Sequence, residues 1–127
     1  MNETPSQSVP AIDVPLLLDR CMDDAALAIM VLESFRNQAE SDLAELDACV
    51  GKNDSEAVSR RAHALKGTSG AVAASTLMDA ACRLEEAACS QMVAEFGEHL
   101  RAVRAEMHRC LDALPAVTEQ LRVGAGK

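Results

Sequence analysis

The sequence predicts an all-α protein, an antiparallel four-helix bundle with a short N-terminal helix across one end. The 127 residues are enough for one domain with a hydrophobic core, and 49% of them are hydrophobic. The chain has no Trp or Tyr and only two Phe, and its Ala, Leu, Val and Met favour helices over sheets. Its apolar residues recur at intervals of three and four, the period of a buried helical face.

Charge and composition exclude several classes of function. Acidic residues exceed basic ones by 20 to 12, a net charge of −8, so we expect no binding to nucleic acid or to anionic membranes. No segment approaches the roughly 18 apolar residues of a membrane span. The start, MNETPSQSVP, lacks the order of a signal peptide. The five cysteines form no CxxC pair, and we interpret them as reduced core residues of a cytoplasmic protein.

The N-terminal part of the chain divides at residue 12. Residues 1–11 contain two prolines and few apolar side chains, so we expect a disordered segment there and a helical domain over 12–115. Asp13 and Pro15 introduce a short helix through three leucines. A proline is tolerated there because first-turn amides have no partner within the helix.

The second helix is long and begins near Asp23 and Asp24, whose charges suit a helix N-terminus. Gly51 ends it, and Asn53 with Glu56 three residues later predicts the cap of the third helix. The residues predicted to face inward are Ala28, Leu32, Phe35, Ala39, Leu43, Leu46 and Val50 in the second helix, and Val58, Ala62, Leu65, Ser69 and Val72 in the third.

The fourth helix is predicted to start around Thr76, with Asp79 three positions on, and Ser90 is the predicted cap of the fifth. We expect the fifth helix to end at Pro115 and residues 116–127 to form a frayed or disordered tail. Short connections between long amphipathic helices make neighbours antiparallel. The predicted inward residues are Leu77, Ala81, Leu84 and Ala88, then Phe96, Leu100, Val103, Met107, Cys110 and Leu114.

One stretch of the third helix, RRAHALKGTSG at residues 60–70, is unusual. It places two glycines in a helix, although each costs about 1 kcal/mol relative to alanine. At about 100° per residue, Arg60, Lys66, Gly67 and Gly70 project on the same side as His63, away from the apolar face. His63 is therefore predicted to face solvent, beside a surface that the glycines leave open to a partner.

These residues suit reversible phosphorylation of histidine. An imidazole nitrogen is nucleophilic near neutral pH because its ordinary pKa is about 6.5. Lys66 offers a cation that can neutralise a phosphoryl group carried on the ring. Phosphoryl transfer passes through a loose transition state and depends mainly on positioning and charge neutralisation. Such a site needs an exposed ring and an open approach rather than a deep pocket.

The stretch from His63 to Ala74, HALKGTSGAVAA, resembles the motif of the histidine-containing phosphotransfer (HPt) family of two-component phosphorelays. That motif is approximately H-x-L-K-G-[ST]-[SA]-x-x-x-G-A. Six of its eight specified positions match from His63 through Ser69, and the resemblance spans roughly residues 13–114. The departure is Ala73, where the family usually has glycine, and there we expect altered local packing.

The resemblance implies that His63 accepts and donates the phosphoryl group, that Lys66 stabilises it, and that Gly67 lets a receiver domain approach. The implied partners are a response-regulator receiver domain and a sensor or hybrid histidine kinase, and the protein is expected to be a monomer. No cofactor is implied, since Mg²⁺ belongs to the receiver. Further residues expected in partner docking are Gly70, Arg60 and Ser69.

Two other functions remain open at this point. The chain is alternatively a helical adaptor or scaffold that binds a signalling partner without being phosphorylated. It is also compatible with the phosphoacceptor module of a larger histidine kinase, although it contains no nucleotide-binding element. His99 and His108 do not share a helical face, so the sequence predicts no metal site.

Overall fold

The computed structural model describes residues 9–125 and contains, in that range, five α-helices and no strand. The all-α prediction is confirmed. Among these helices, none is both long and apolar enough to cross a membrane. The elements are α1 (Val14–Arg20), α2 (Ala25–Gly51), α3 (Ser55–Ala71), α4 (Ser75–Cys89), a 3-10 turn (Val93–Glu95) and α5 (Phe96–Ala125).

Each long helix packs against two others. α2 contacts α3 and α5, α4 contacts the same two helices, and the short α1 packs against α2. Every residue predicted to face inward is buried except Val50, which is half-buried near the end of α2. Burying a side chain such as Leu or Phe contributes about 1.5–3 kcal/mol. The largest fully buried side chains are Phe96, Leu17, Leu32, Leu46, Leu77, Leu84 and Met107.

The first four helices end in the same backbone motif. A residue in the left-handed conformation follows each of them, and two backward hydrogen bonds satisfy the last carbonyls of the helix. At the end of α3, the amides of Ala73 and Ala74 donate to Gly70 and Ser69 at 3.1 and 2.9 Å. The left-handed residues at this position are Met22 (φ 55°), Asn53 (φ 54°), Ala73 (φ 59°) and Gln91 (φ 56°), and Asp23, which follows Met22, is also left-handed (φ 60°).

This motif explains the departure at position 73. A residue with a Cβ in the left-handed conformation costs roughly 1–2 kcal/mol, and glycine avoids that cost. This cost applies to Ala73. Its methyl group is buried, with the residue 3% exposed. With alanine at this position, the turn between α3 and α4 still has a left-handed residue and both backward hydrogen bonds.

The helix N-termini differ in part from the prediction. Asp24 caps α2 as expected. The cap of α3 is Asp54, whose side chain accepts the Ala57 amide at 3.1 Å. The predicted cap, Asn53, takes the left-handed position instead. α4 starts at Ser75, within one residue of the predicted start around Thr76, and has no side-chain cap. The predicted cap of the fifth helix, Ser90, is wrong, because Ser90 lies at the C-terminal end of α4, before the 3-10 turn.

The segment before α1 is ordered from residue 9. Ala11 is buried, and Arg109 of α5 donates to the Val9 carbonyl at 2.6 Å. The Asp13 amide donates to the Ala73 carbonyl at 2.9 Å, in the turn between α3 and α4. The prediction of disorder is therefore wrong for residues 9–11. The rest of that prediction, residues 1–8, lies outside the described residues.

The fifth helix does not end at Pro115. It continues through the proline to Ala125, and Val117 and Leu121 on this extension are buried. A proline in a helix interior costs about 3 kcal/mol because it removes a hydrogen bond and crowds the preceding turn. Burial of the apolar residues that follow offsets that cost. The predicted frayed tail is wrong for residues 116–125, and residues 126–127 lie outside the described range.

All five cysteines are free thiols. Cys21 and Cys110 are buried, as predicted for core residues, whereas Cys89 is exposed and is not part of the core. Burial raises the pKa of the Cys110 thiol to about 12, so this side chain behaves as a small apolar group at neutral pH.

The packed C-terminal end of α5 can be tested with a matched pair of substitutions. Leu121→Ala removes a side chain from a position only 2% exposed and should lower the free energy of unfolding by about 2–4 kcal/mol. Val123→Ala, on the same extension but 55% exposed, should change it by less than about 0.5 kcal/mol. Urea denaturation followed by circular dichroism measures both. Equal, small effects would indicate a frayed tail.

Candidate functional site

His63 lies in the middle of the 17-residue helix α3 and projects away from the core. The same helix buries Val58, Ala62 and Leu65 on its opposite side, so the helical phase places His63 in solvent. Its side chain is 68% exposed. The predicted exposure of the imidazole is therefore what the structure shows.

Glu85 of α4 forms a hydrogen bond with one nitrogen of the His63 ring. Its Oε2 lies 2.9 Å from His63 Nδ1. Hydrogen bonds, first from Lys66 and then from His63, lower the pKa of Glu85 against the opposing effect of burial, so its carboxylate is ionised at neutral pH. An ionised carboxylate only accepts hydrogen bonds. Nδ1 of a neutral ring therefore carries the proton, and the free lone pair lies on Nε2 of this exposed side chain.

Glu85 also binds Lys66, one turn after His63. Lys66 Nζ lies 2.9 Å from the second carboxylate oxygen, Oε1. The hydrogen bond to Glu85 raises the pKa of Lys66. The contribution of Glu85 to stability is present above the ordinary carboxyl pKa of about 4.3 and is lost as pH falls through its lowered pKa. The contribution of Lys66 to stability is present below the ordinary lysine pKa of about 10.4 and is lost as pH rises through the raised pKa of Lys66.

Glu85 is not among the site residues predicted from the sequence, and the register of the α3–α4 hairpin is the signal that could have indicated it. Residues equidistant from a tight turn lie at the same height on two antiparallel helices. His63 and Glu85 are equidistant from Ala74. So are Ser59 and Cys89, whose Oγ and Sγ atoms are 3.4 Å apart. The register depends on the length of the turn between α3 and α4. The predicted start of the fourth helix, around Thr76, did not give that length.

The two glycines near His63 have different surroundings. Gly67 is exposed, and a Cβ placed on it meets nothing within 4 Å, as an open approach to His63 requires. Gly70 is half-buried, and a Cβ there lies 3.4 Å from Met78 Sδ. The carbonyl of Gly70 also accepts a hydrogen bond from Arg20 of α1. The expectation that Gly70 extends the open surface is wrong, because α1 and α4 cover it.

The remaining predicted docking residues, Ser69 and Arg60, differ in their exposure to solvent. Ser69 is fully buried, and its hydroxyl donates to the Leu65 carbonyl at 2.7 Å. The prediction that Ser69 contacts a partner is wrong, because its side chain bonds within its own helix. Arg60 is exposed on the same side as His63, and no carboxylate in the described part of the chain pairs with it. Its neighbour Arg61 pairs with Glu45 of α2.

The site therefore consists of an exposed ring, a carboxylate that fixes its tautomer, an ammonium one turn away and an open glycine surface. Within residues 9–124, no three His, Cys, Asp or Glu side chains lie close enough to hold a metal ion. The arrangement presents a nucleophilic nitrogen at the protein surface. It suits the transfer of a small anionic group to or from another macromolecule.

Comparisons with known proteins agree with this description. A family model described as "Hpt domain" matches residues 30–121, so α1 precedes the matched segment. The crystal structure of histidine-containing phosphotransfer protein B (HptB) from Pseudomonas aeruginosa PAO1 is similar, with a TM-score of 0.81 at 21% sequence identity. The alignment covers 89% of this chain and 98% of that chain. At this identity the likeness shows a shared fold. No curated protein matches the chain.

The role of Glu85 in fixing the imidazole can be tested without any partner. In the wild-type protein, the neutral His63 ring should carry its proton on Nδ1. Glu85→Ala should shift the ring toward the Nε2-protonated form, because the acceptor at Nδ1 is lost. The ¹⁵N chemical shifts of the ring nitrogens measure the tautomer. Glu86→Ala removes the same charge from the adjacent exposed position and should leave the shifts unchanged. An Nδ1-protonated ring in Glu85→Ala would contradict the assignment.

Proposed function

Because this chain belongs to the Hpt domain family, we propose that it is a histidine phosphotransfer protein. It relays a phosphoryl group between receiver-domain aspartates, or accepts the group from a histidine kinase, in a two-component phosphorelay. The observation that carries the proposal is the His63 ring, 68% exposed, with Nδ1 2.9 Å from Glu85 Oε2, which leaves Nε2 as the nitrogen with the free lone pair.

In the proposed reaction, the lone pair of His63 Nε2 attacks the phosphorus of an aspartyl phosphate on the receiver. The N–P bond forms as the P–O bond to the aspartate breaks, and the aspartate leaves as a carboxylate. The ring gains one positive charge, which the Nδ1–H hydrogen bond to Glu85 stabilises. Transfer in the other direction reverses these steps and returns the neutral ring. We assign Glu85 as a positioning residue, since it acts through His63.

Lys66 and Gly67 complete the proposed site. The Lys66 ammonium lies one turn from the ring and is held by the same carboxylate that binds Nδ1, so it adds positive charge beside the phosphoryl group. Charge neutralisation and positioning account for most catalysis of phosphoryl transfer. Gly67 leaves open space next to the ring, through which the receiver aspartate approaches.

The proposed architecture is an antiparallel four-helix bundle with α1 across one end. Each long helix packs on two others, and three residues, 52–54 and 72–74, separate α2 from α3 and α3 from α4. Turns this short favour antiparallel neighbours. In this arrangement the outer sides of α3 and α4 form the face that a receiver domain or a kinase domain covers. We propose that the chain acts as a cytoplasmic monomer without a cofactor, with Mg²⁺ bound by the receiver.

The phosphoacceptor assignment is tested by incubating the protein with a phosphorylated receiver domain. The wild-type chain should take up acid-labile, alkali-stable label, and His63→Gln should take up none. His99→Gln is the matched control, and it should be labelled like the wild type because His99 lies on α5 beside Glu95. Circular dichroism should show equal helicity in all three proteins. A wild-type chain that binds the receiver without being labelled would indicate an adaptor instead.

The open surface at Gly67 is tested by two substitutions that differ in size. Gly67→Ala should raise the free energy of unfolding by about 1 kcal/mol, since alanine favours the helix and its methyl group meets no neighbour. Gly67→Gln should raise the KM for the phosphorylated receiver by about tenfold or more, which corresponds to about 1.4 kcal/mol of lost binding. Urea denaturation and initial rates of label transfer measure these effects. Unchanged KM in Gly67→Gln would contradict the steric role.

A further inference from the structure

We infer that Arg20, the last residue of α1, is a specificity-determining residue that binds carboxylates on the receiver domain docked at His63. The inference rests on the proposed function, because it requires a partner protein to reach His63 Nε2. It adds to the docking face a residue that lies outside α3. Its basis is the position of the Arg20 guanidinium, its exposure and its lack of a carboxylate partner among residues 9–124.

Arg20 reaches the side of α3 that carries His63. Its guanidinium donates to the carbonyl of Gly70, which follows His63 by seven residues. Seven residues of an α-helix span about 10 Å along the axis and return to nearly the same side, about 20° away. The short first helix therefore places a cation on the His63 side of α3, two turns from the imidazole.

A partner that covers His63 also covers Arg20. A stable protein–protein interface buries about 800 Å² on each partner, which corresponds to a disc with a radius of about 16 Å. A disc of that size centred on His63 extends beyond Gly70 and includes the Arg20 side chain bound there. A receiver domain whose aspartate reaches Nε2 thus meets Arg20 in the same interface.

The charge of Arg20 is available to such a partner. Arg20 is exposed, and no carboxylate among the described residues pairs with it, whereas Arg61, Arg104 and Arg109 each have one. A guanidinium has five N–H donors, and the contact with Gly70 occupies only one nitrogen. The remaining donors match a carboxylate in the two-bond geometry that arginine favours.

The end of α3 keeps a hydrogen-bond donor without Arg20. A cation near the C-terminus of a helix interacts favourably with its last carbonyls, and Arg20 is placed to do so for α3. The Gly70 carbonyl already accepts the Ala73 amide at 3.1 Å, however, so it has a partner without Arg20. The Gly70 carbonyl is therefore not left without a donor when the Arg20 side chain turns to a partner.

Arg60 and the guanidinium of Arg20 lie on opposite sides of His63. Arg60 is toward the N-terminal end of α3, and Arg20 contacts Gly70 toward its C-terminal end. Arg60 precedes His63 by three residues and is also exposed and without a carboxylate partner in residues 9–124. The chain as a whole carries a net charge of −8, which repels acidic partners at long range. Arg20 and Arg60, neither paired with a carboxylate of the described residues, place positive charge on both sides of His63. They select a receiver with carboxylates on both sides of its phosphorylated aspartate.

The test measures label transfer from a phosphorylated receiver to Arg20→Gln and Arg20→Glu. We expect KM to rise by about threefold in Arg20→Gln and by about tenfold or more in Arg20→Glu at low salt, with the rate at saturation unchanged. The differences should shrink in about 0.5 M salt because exposed charges are then screened. Arg101→Glu, an exposed arginine on α5, makes the same charge change and should leave KM within about twofold of the wild type.

The outcomes separate this inference from the proposed function. If the wild-type protein takes label and Arg20→Glu has the same KM, the inference is wrong and the proposed function stands. A fall in the rate at saturation together with a lower urea midpoint, at unchanged KM, would assign Arg20 a structural role and also overturn the inference. If no phosphorylated receiver labels the wild-type chain, the proposed function and the inference fail together.

Discussion

The α3–α4 hairpin is the constraint on which the site depends. The left-handed Ala73 turns the chain within three residues, so each position of α3 has a fixed counterpart on α4. Glu85 meets His63 and Lys66 only because of this register. One residue more or fewer in the turn would rotate α4 by about 100° relative to α3 and remove the carboxylate from the imidazole. The chemistry of His63 is therefore set by a backbone turn ten residues away.

The buried faces of the helices follow from the sequence, because a period of three and four residues is a local property. The exposure of His63 follows for the same reason, since the helical phase that buries Leu65 directs His63 outward. Glu85 and Arg20 could not be found in this way. Their contacts join different helices, so they depend on turn length and packing.

The wrong predictions arise where local rules compete with packing. Pro115 is a strong local signal for the end of a helix, yet Val117 and Leu121 find buried positions beyond it and α5 continues. Ser90 and Thr76 have the side chains of N-caps, but α4 begins before Thr76 and ends at the residue before Ser90. Ser69 is predicted both to face inward and to contact a partner, and its phase on the helix allows only the first.

The proline in α5 also divides the helix into two parts of unequal stability. Without an amide hydrogen at Pro115, the Leu111 carbonyl loses its regular helical donor, so the hydrogen-bond ladder is interrupted at that point. Leu121 lies beyond the break and lines a groove with Val14 and Leu18 of α1. Local opening of the last ten residues of α5 would therefore loosen α1 before the rest of the core separates.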